Sequence, residues 1–186
     1  MKKLKLYIAC SLDGKIAKPD GDVRWLEELP NPDKTDHGYT QFLSGVDTTL
    51  MGYKTYEVVL GLGIDFPYKE QKNYVFSRRA RDPQPFVEFV SGDIVSFTAR
   101  LKEQEGKDIW LIGGGEINTL LLDAGLIDEI QVFIMPIVIG DGVPLFGAFP
   151  DETTFRVLEI KSFSTGAVMI RYEPQNRILG PETNPG

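Results

Sequence analysis

Residues 108–112 (DIWLI) form a short apolar run that passes straight into three glycines and a helically spaced pattern, GGGEINTLLLDAG, whose end is marked by Gly125. A continuous apolar run of strand length reads as a strand covered on both faces, and helices packed above and below a sheet cover a strand in that way. The same alternation recurs along the chain. Residues 4–9 (LKLYIA), 48–52 (TTLMG), 72–77 (KNYVFS) and 85–90 (PFVEFV) are apolar-rich runs bounded by Gly, Pro or charge. Helical spacers lie between them. The first, at 31–45, offers Asp33 or Thr35 as its N-cap and has Tyr39, Phe42 and Leu43 at helical spacing. Another is opened by Asp93 and closed by Gly106. Residues 129–140 (EIQVFIMPIVIG) read as one long strand carrying Pro136, and 154–163 with 167–174 as an antiparallel hairpin around SFSTG. The pattern predicts a three-layer α/β domain with a mostly parallel central sheet and an antiparallel C-terminal edge. A length of 186 residues fits one domain, assigned to 1–174, and the unpatterned segment 175–186 reads as a flexible tail.

A strand that ends in glycines and opens a helix exposes backbone N–H groups where the helix dipole favours an anion such as a phosphate. Two readings stay open on these residues alone. The run misses the G-x-G-x-x-G fingerprint, because Asn118 stands at the last glycine position, and it lacks the Lys-Ser/Thr pair of a P-loop. It is equally a glycine turn that supplies unusual backbone angles.

Charge and sulfur limit the partners. With 27 acidic against 20 basic residues the formal net charge is −7, which repels phosphate backbones and anionic lipid over most of the surface. Nucleic acid and membrane are therefore not expected as partners. One cysteine, Cys10, and one histidine, His37, build neither a disulfide framework nor a Cys/His zinc cluster, so the expectation is a cytoplasmic protein with no metal site. Cys10 reads as a core residue, His37 as a flank or cap of the first helix, and Trp110 as structural.

Several separated motifs together resemble the dihydrofolate-reductase-like superfamily: IACSLDGKIA (8–17), Trp25 after the loop, LMGYKTYE (50–57), KNYVFSRR (72–79) and IWLIGGGEI (109–117). Within it, SLDGKIA and LIDEIQVFIMPIVIGDGVPLF (126–146) are similar to the reductase domain of the bifunctional riboflavin-pathway deaminase-reductase and its stand-alone relatives. The resemblance implies a nicotinamide cofactor across the carboxyl ends of the central strands. It implies backbone from Ala9 and Ile16 against the carboxamide, Gly52, Tyr53, Lys54 and Thr55 under the pyrophosphate, and Gly113, Gly114, Gly115, Glu116 and Ile117 beside the phosphates. Gly114 and Gly115 would permit a backbone approach that a Cβ blocks. Ser77, Arg78 and Arg79 would join Lys54 around the adenosine ribose, where cations suit a 2′-phosphate and favour NADPH over NADH. Without the resemblance, Arg78-Arg79-Ala80-Arg81 reads as a solvated loop.

Asp36 precedes Met51 by the separation that dihydrofolate reductases keep between their acidic residue and the Met-Gly of the cofactor turn. The implied role is a partly desolvated carboxyl with a raised pKa that binds or protonates a C=N group, with Trp25 closing the floor of the site. The other reading of Asp36 is a residue of the first helical turn. ELPNPDKT lengthens the approach to the site relative to the folate enzymes. The Asp-Asn-Pro stretch that holds the ribose phosphate in the riboflavin-pathway reductase is absent after Thr55, with Asp65 and Pro67 as remnants. The implied activity is an NADPH-dependent oxidoreductase similar to 5-amino-6-(5-phosphoribosylamino)uracil reductase, acting on a pyrimidine- or pterin-related molecule. A dihydrofolate reductase and a non-catalytic nucleotide-binding module are the alternatives. The long apolar strand and the C-terminal hairpin, with the habit of the stand-alone relatives, point to a homodimer.

Overall fold

The structure, a computed structural model, describes residues 1–148 and 150–177. In chain order its strands are β1 (Leu4–Ser11), β2 (Lys15–Ala17), β3 (Val46–Gly52), β4 (Lys72–Phe76), β5 (Val87–Val90), β6 (Asp108–Gly113), β7 (Glu129–Met135), β8 (Val143–Pro144), β9 (Thr153–Ser162) and β10 (Val168–Arg177). The helices are α1 (Tyr39–Ser44), α2 (Tyr53–Gly61), α3 (Ile94–Lys102) and α4 (Gly115–Asp123), with a 3-10 turn at Arg24–Leu26. One eight-stranded sheet has the order β5-β4-β3-β6-β1-β7-β10-β9. Its strands from β5 to β7 are parallel, and β10 and β9 complete it antiparallel. The three layers and the antiparallel edge are those the apolar runs predict.

Strand alternation sends side chains to opposite faces of the sheet, and each face has its own cover. Leu4, Leu6, Leu50, Ile109, Leu111, Ile130 and Val132 pack with Leu101 of α3 and Leu121 and Leu122 of α4. Trp25, Phe133, Met135 and Met169, with Tyr7 and Ala9 against them, form a second cluster, and Met51, Tyr56 and Val75 a third under α2. Burying a Leu- or Ile-sized side chain stabilises by about 1.5–3 kcal/mol, so these clusters hold the sheet against the entropy of its loops. No helix among the described residues is long and apolar enough to cross a membrane.

Three segments differ from the sequence expectation. The strand expected over 129–140 stops at Met135, because Pro136 has no N–H for a ladder, and the chain turns away. The apolar residues that follow do another job: Ile139 and Gly140 donate their N–H groups to the Asp13 carboxylate at 3.2 and 2.9 Å, and Leu12 N–H donates to the Ile137 carbonyl at 2.7 Å. β7 also lies inside the sheet, between β1 and β10, so it is not an edge, and its residues are buried on both faces, Ile130 and Val132 in one cluster and Phe133 and Met135 in another. At the C-terminus β10 continues to Arg177, past the boundary expected at 174; the rest of the expected tail, 178–186, lies outside the described residues. β2 and β8, too short to signal themselves, pair into a separate ribbon that ties the loop after β1 to the segment between β7 and β9.

Candidate functional site

β1 and β6 are neighbours in the sheet, yet their pairing ends at Leu6↔Leu111, whereas β1 stays paired with β7 as far as Ser11↔Met135. The two central strands therefore part at their carboxyl ends. A cleft opens there between residues 7–11 and the Gly113 turn, the position where open parallel sheets take their ligands. Its entrance is framed by the loop after β1, which Asp13 fastens to residues 139–140. Hydrogen bonding from Ser11 first, and from the Ile139 and Gly140 N–H groups after it, holds the Asp13 carboxyl below its usual value. The Leu145 N–H donates to the Gly14 carbonyl at 2.9 Å on the same side.

Two helix N-termini face each other beside this cleft. β3 and β6 are paired up to Met51↔Gly113, so α2 and α4 start next to one another, capped by Gly52 and Gly114. Neither cap residue supplies a side-chain hydrogen bond, which leaves first-turn N–H groups of both helices for a ligand or water. The turns are in close contact: a Cβ on Gly52 would come within 3.0 Å of Ile117 Cδ1, and one on Gly114 within 3.4 Å of Thr55 Oγ1. Gly113 has φ 121°, a region closed to residues with a Cβ, and its peptide bond to Gly114 is cis. Gly115 corrects one expectation. A Cβ there would collide with the Pro144 carbonyl, and the Gly147 N–H donates to the Gly115 carbonyl at 3.0 Å, so this glycine is needed for packing of the 144–147 segment and not for approach of a ligand.

Asn118, the residue that spoils the dinucleotide fingerprint, is fully buried at the same turn. Its Nδ2 donates to the Leu145 carbonyl at 2.8 Å, while Oδ1 has no partner among the described residues and lies 3.5 Å from the position of a Cβ on Gly113. Sequence reading missed it, since an amide at that spacing signals only the absence of a glycine.

The cations of an acidic protein gather at the outer end of the two turns. Arg78 reaches from the end of β4 to Glu116 in the first turn of α4 at 2.7 Å, both groups exposed. Arg81, read from sequence as part of a solvated loop, folds back: its guanidinium lies 3.5 Å from the Tyr53 ring centre and its Nε donates to Ser77 Oγ at 3.2 Å. Ser77 Oγ also accepts from the Arg79 N–H at 3.3 Å and donates to the Arg79 carbonyl at 2.8 Å, fixing the turn. Lys54 is exposed at the start of α2 and has no ion pair among the described residues. These contacts link Arg78 with Glu116, and Tyr53 with Ser77 and Arg79 through Arg81, while Lys54 follows Tyr53 in the first turn of α2.

On the face of the sheet opposite α3 and α4, Tyr7 and Ala9 of β1 look onto α1 and the Trp25 turn. The Tyr7 ring stacks on Phe42 at 4.1 Å and meets Phe133 at 4.8 Å. Ile16, on β2, packs into the core on the other side. Trp25 is 1 % exposed, its ring filling core among Phe133, Met135 and Met169; only its indole N–H lacks a partner among the described residues. Asp36 is exposed, just before α1, and neither Asp33 nor Thr35 caps that helix. Gly38, at φ 85°, is the N-cap. The Asp36 carboxylate accepts from the Gly38 N–H at 2.8 Å and the Thr40 N–H at 3.0 Å. Hydrogen bonding from the Thr40 side chain, then from these two N–H groups, lowers its pKa to about 2, opposite in direction to the raised value expected of a buried acid. The expectation failed because the chain leaves the carboxylate in solvent and turns backbone donors toward it. Its charge is still felt at Tyr7, whose hydroxyl is pushed up first by burial and then by Asp36.

Comparison with known proteins agrees with this geometry. Residues 2–169 match the family described as RibD C-terminal domain. The chain is 40% identical to "Uncharacterized protein YwjB" of Bacillus subtilis (strain 168) over 172 residues, 92% of this chain and 97% of that protein. A solved structure from Shewanella sp. PV-4, described as a candidate riboflavin biosynthesis protein, superposes with a TM-score of 0.83 at 31% identity, covering 94% of this chain and 99% of the other. Dihydrofolate reductase from Enterococcus faecalis, solved with NADP(H), has a TM-score of 0.68 at 14% identity over 94% of this chain and 97% of its own, a likeness of fold alone. The chain belongs to the RibD C-terminal domain family.

Proposed function

We infer that this protein is an NADPH-dependent reductase that delivers hydride to a C=N group of a pyrimidine- or pterin-related small molecule, in the manner of 5-amino-6-(5-phosphoribosylamino)uracil reductase. The observation that carries the reading is the cleft between the parted ends of β1 and β6, flanked by two helix N-termini without side-chain caps. These residues fit a dinucleotide: open first-turn amides suit phosphates, and Gly52 and Gly114 keep the turns free of side chains. Lys54 and Thr55 at α2, and Gly113, Gly114, Gly115, Glu116 and Ile117 at α4, would hold the pyrophosphate, Gly115 through its N–H. Ser77, Arg78, Arg79 and Arg81 would hold the adenosine end, with Tyr53 as its aromatic platform. Backbone of Ala9 and Ile16 would hold the carboxamide.

When bound, a reduced nicotinamide supplies the hydride. Asp36, with its carboxylate held ionised by hydrogen bonds, acts as an acceptor that orients a substrate N–H edge, and the proton that balances the hydride at the C=N nitrogen comes from water. The unpaired Trp25 N–H is a donor for a substrate acceptor or a bridging water. In this reading the protein works in the cytoplasm as a homodimer. Turnover tests it: NADPH oxidation followed at the nicotinamide absorbance band, with reduced-flavin-pathway intermediates and dihydrofolate side by side. Oxidation with a pathway intermediate supports the reading, oxidation with dihydrofolate alone replaces it by the folate activity, and none with either leaves a nucleotide-binding module.

A further inference from the structure

Leu145 is held from two sides. Its carbonyl accepts from Asn118 Nδ2 at 2.8 Å, and its N–H donates to the Gly14 carbonyl at 2.9 Å. Asn118 belongs to α4, behind the glycine turn, and Gly14 to the loop after β1. The neighbouring bonds repeat this division. Toward α4, the Gly147 N–H donates to Thr119 Oγ1 at 2.7 Å and to the Gly115 carbonyl at 3.0 Å. Toward the loop, Pro144 and Val143 pair with Lys15 and Ala17, the Ile139 and Gly140 N–H groups donate to Asp13, and the Ile137 carbonyl accepts from the Leu12 N–H. Residues 137–147 therefore form a strap, with the first turns of α4 at one end and the loop 12–17 at the other. Asn118 is the buried tie at the α4 end. An unpaired buried acceptor such as its Oδ1 is costly, so packing alone would be served better by an apolar side chain of the same shape, and the bond from Nδ2 to Leu145 is what the amide adds.

We propose that Asn118, with Thr119 beside it, is a positioning residue that couples an anion at the first turn of α4 to the order of the loop 12–17 at the entrance of the cleft. The backbone supplies the route. The Glu116 N–H has no partner among the described residues, and it shares one peptide group with the Gly115 carbonyl. An anion that accepts from this N–H polarises that carbonyl and strengthens its bond from Gly147. Gly147 drawn onto α4 holds Leu145, and Leu145 holds Gly14. Coupling of this kind is reciprocal: what the anion adds to the order of the loop, an ordered loop returns as affinity for the anion. The proposal rests on the reductase reading for the identity of the anion, a dinucleotide phosphate. It deepens that reading by making the loop that carries Ile16 answer to the far end of the cofactor.

Hydrogen exchange of the full-length protein tests it, with 2′-phospho-ADP-ribose as the probe, since this molecule has the phosphates of NADPH and lacks the nicotinamide that would meet the loop. In the free protein, Asn118→Leu should speed exchange of the amides of residues 12–17 roughly threefold to tenfold, the worth of about one hydrogen bond, while the amides of α3 stay unchanged as the control for general loosening. The probe should slow the loop amides of the wild type by a similar factor and leave those of Asn118→Leu as they are. Thr119→Val makes the same test at a second bond, and Thr119→Ser, which keeps the hydroxyl, should restore the wild-type response. Loop exchange unmoved by both Asn118→Leu and Thr119→Val in the free protein overturns the proposal. So does a probe that protects residues 114–117 of the wild type without slowing the loop, or that slows the loop as much in both variants as in the wild type. A probe that protects neither region, while the free variants keep their effect on the loop, overturns the cofactor reading alone.

Discussion

Asp36 keeps the sequence spacing of the acidic residue in the folate enzymes, but its carboxylate is held ionised by hydrogen bonds. Its spacing from Met51 is legible in the sequence, but its protonation state depends on which backbone donors the loop turns toward it, and spacing carries no information about that. Asp36→Asn should cut turnover about tenfold or more while leaving NADPH affinity within about twofold, since the loss falls on substrate orientation and not on the nucleotide cradle. Steady-state kinetics beside an NADPH titration check it, and unchanged turnover makes Asp36 a loop-capping residue only. His37 titrates in the opposite region. Burial lowers its pKa from 6.5, with Asp36 opposing, so the unfolded chain takes up a proton at higher pH than the folded one. That contribution to stability is present above the unfolded value and is lost as pH falls through the folded one. Denaturant midpoints between pH 7.5 and 5 should fall with pH in the wild type and less steeply in His37→Asn, a residue that tolerates the left-handed backbone. Arg81 was hidden for a different reason: a basic loop residue reveals its stacking partner only once the loop folds back. Arg81→Ala should weaken NADPH roughly tenfold and NADH less, as expected for a lost charge-assisted contact to a 2′-phosphate.

At the level of elements, the glycine turns separate two demands that look identical in sequence. Gly114 and Gly115 both read as clearance for a ligand, yet a Cβ on Gly115 strikes the Pro144 carbonyl while one on Gly114 meets only Thr55 Oγ1 at 3.4 Å. Gly115→Ala should therefore destabilise the fold by about 1–3 kcal/mol through overpacking, and Gly114→Ala much less, though it should weaken NADPH binding. Thermal melts of the two variants with and without cofactor separate the effects. The strands themselves were readable because each is a short apolar run with clear punctuation. The end of β7 was not, because residues 137–139 are as apolar as a strand and Pro136 speaks only against continued pairing. The parting of β1 from β6 was invisible too: it is a property of register between strands about a hundred residues apart.

Across the whole molecule, charge and sheet edges decide how the protein meets its partners. With a net charge of −7, the cations Lys54, Arg78, Arg79 and Arg81 around the two turns would, in the reductase reading, steer an anionic cofactor to that end. The sheet ends at β5 on one side and at β9 on the other, and β9 presents Val157 and Ile160, 49% and 65% exposed. A homodimer through the β9–β10 hairpin should give a light-scattering mass near twice 20.8 kDa, and a mass near 20.8 kDa rejects it. The central claim, that the cleft between β1 and β6 is a nicotinamide dinucleotide site, is tested most directly by melting the protein with and without NADPH. A ligand at about a hundredfold its Kd adds about 2.7 kcal/mol to a fold it binds, which for a domain of this size is a rise of roughly 5–10 °C. The account predicts that rise with NADPH and a smaller one with NADH at equal concentration; a melting temperature unmoved by millimolar NADPH would contradict it.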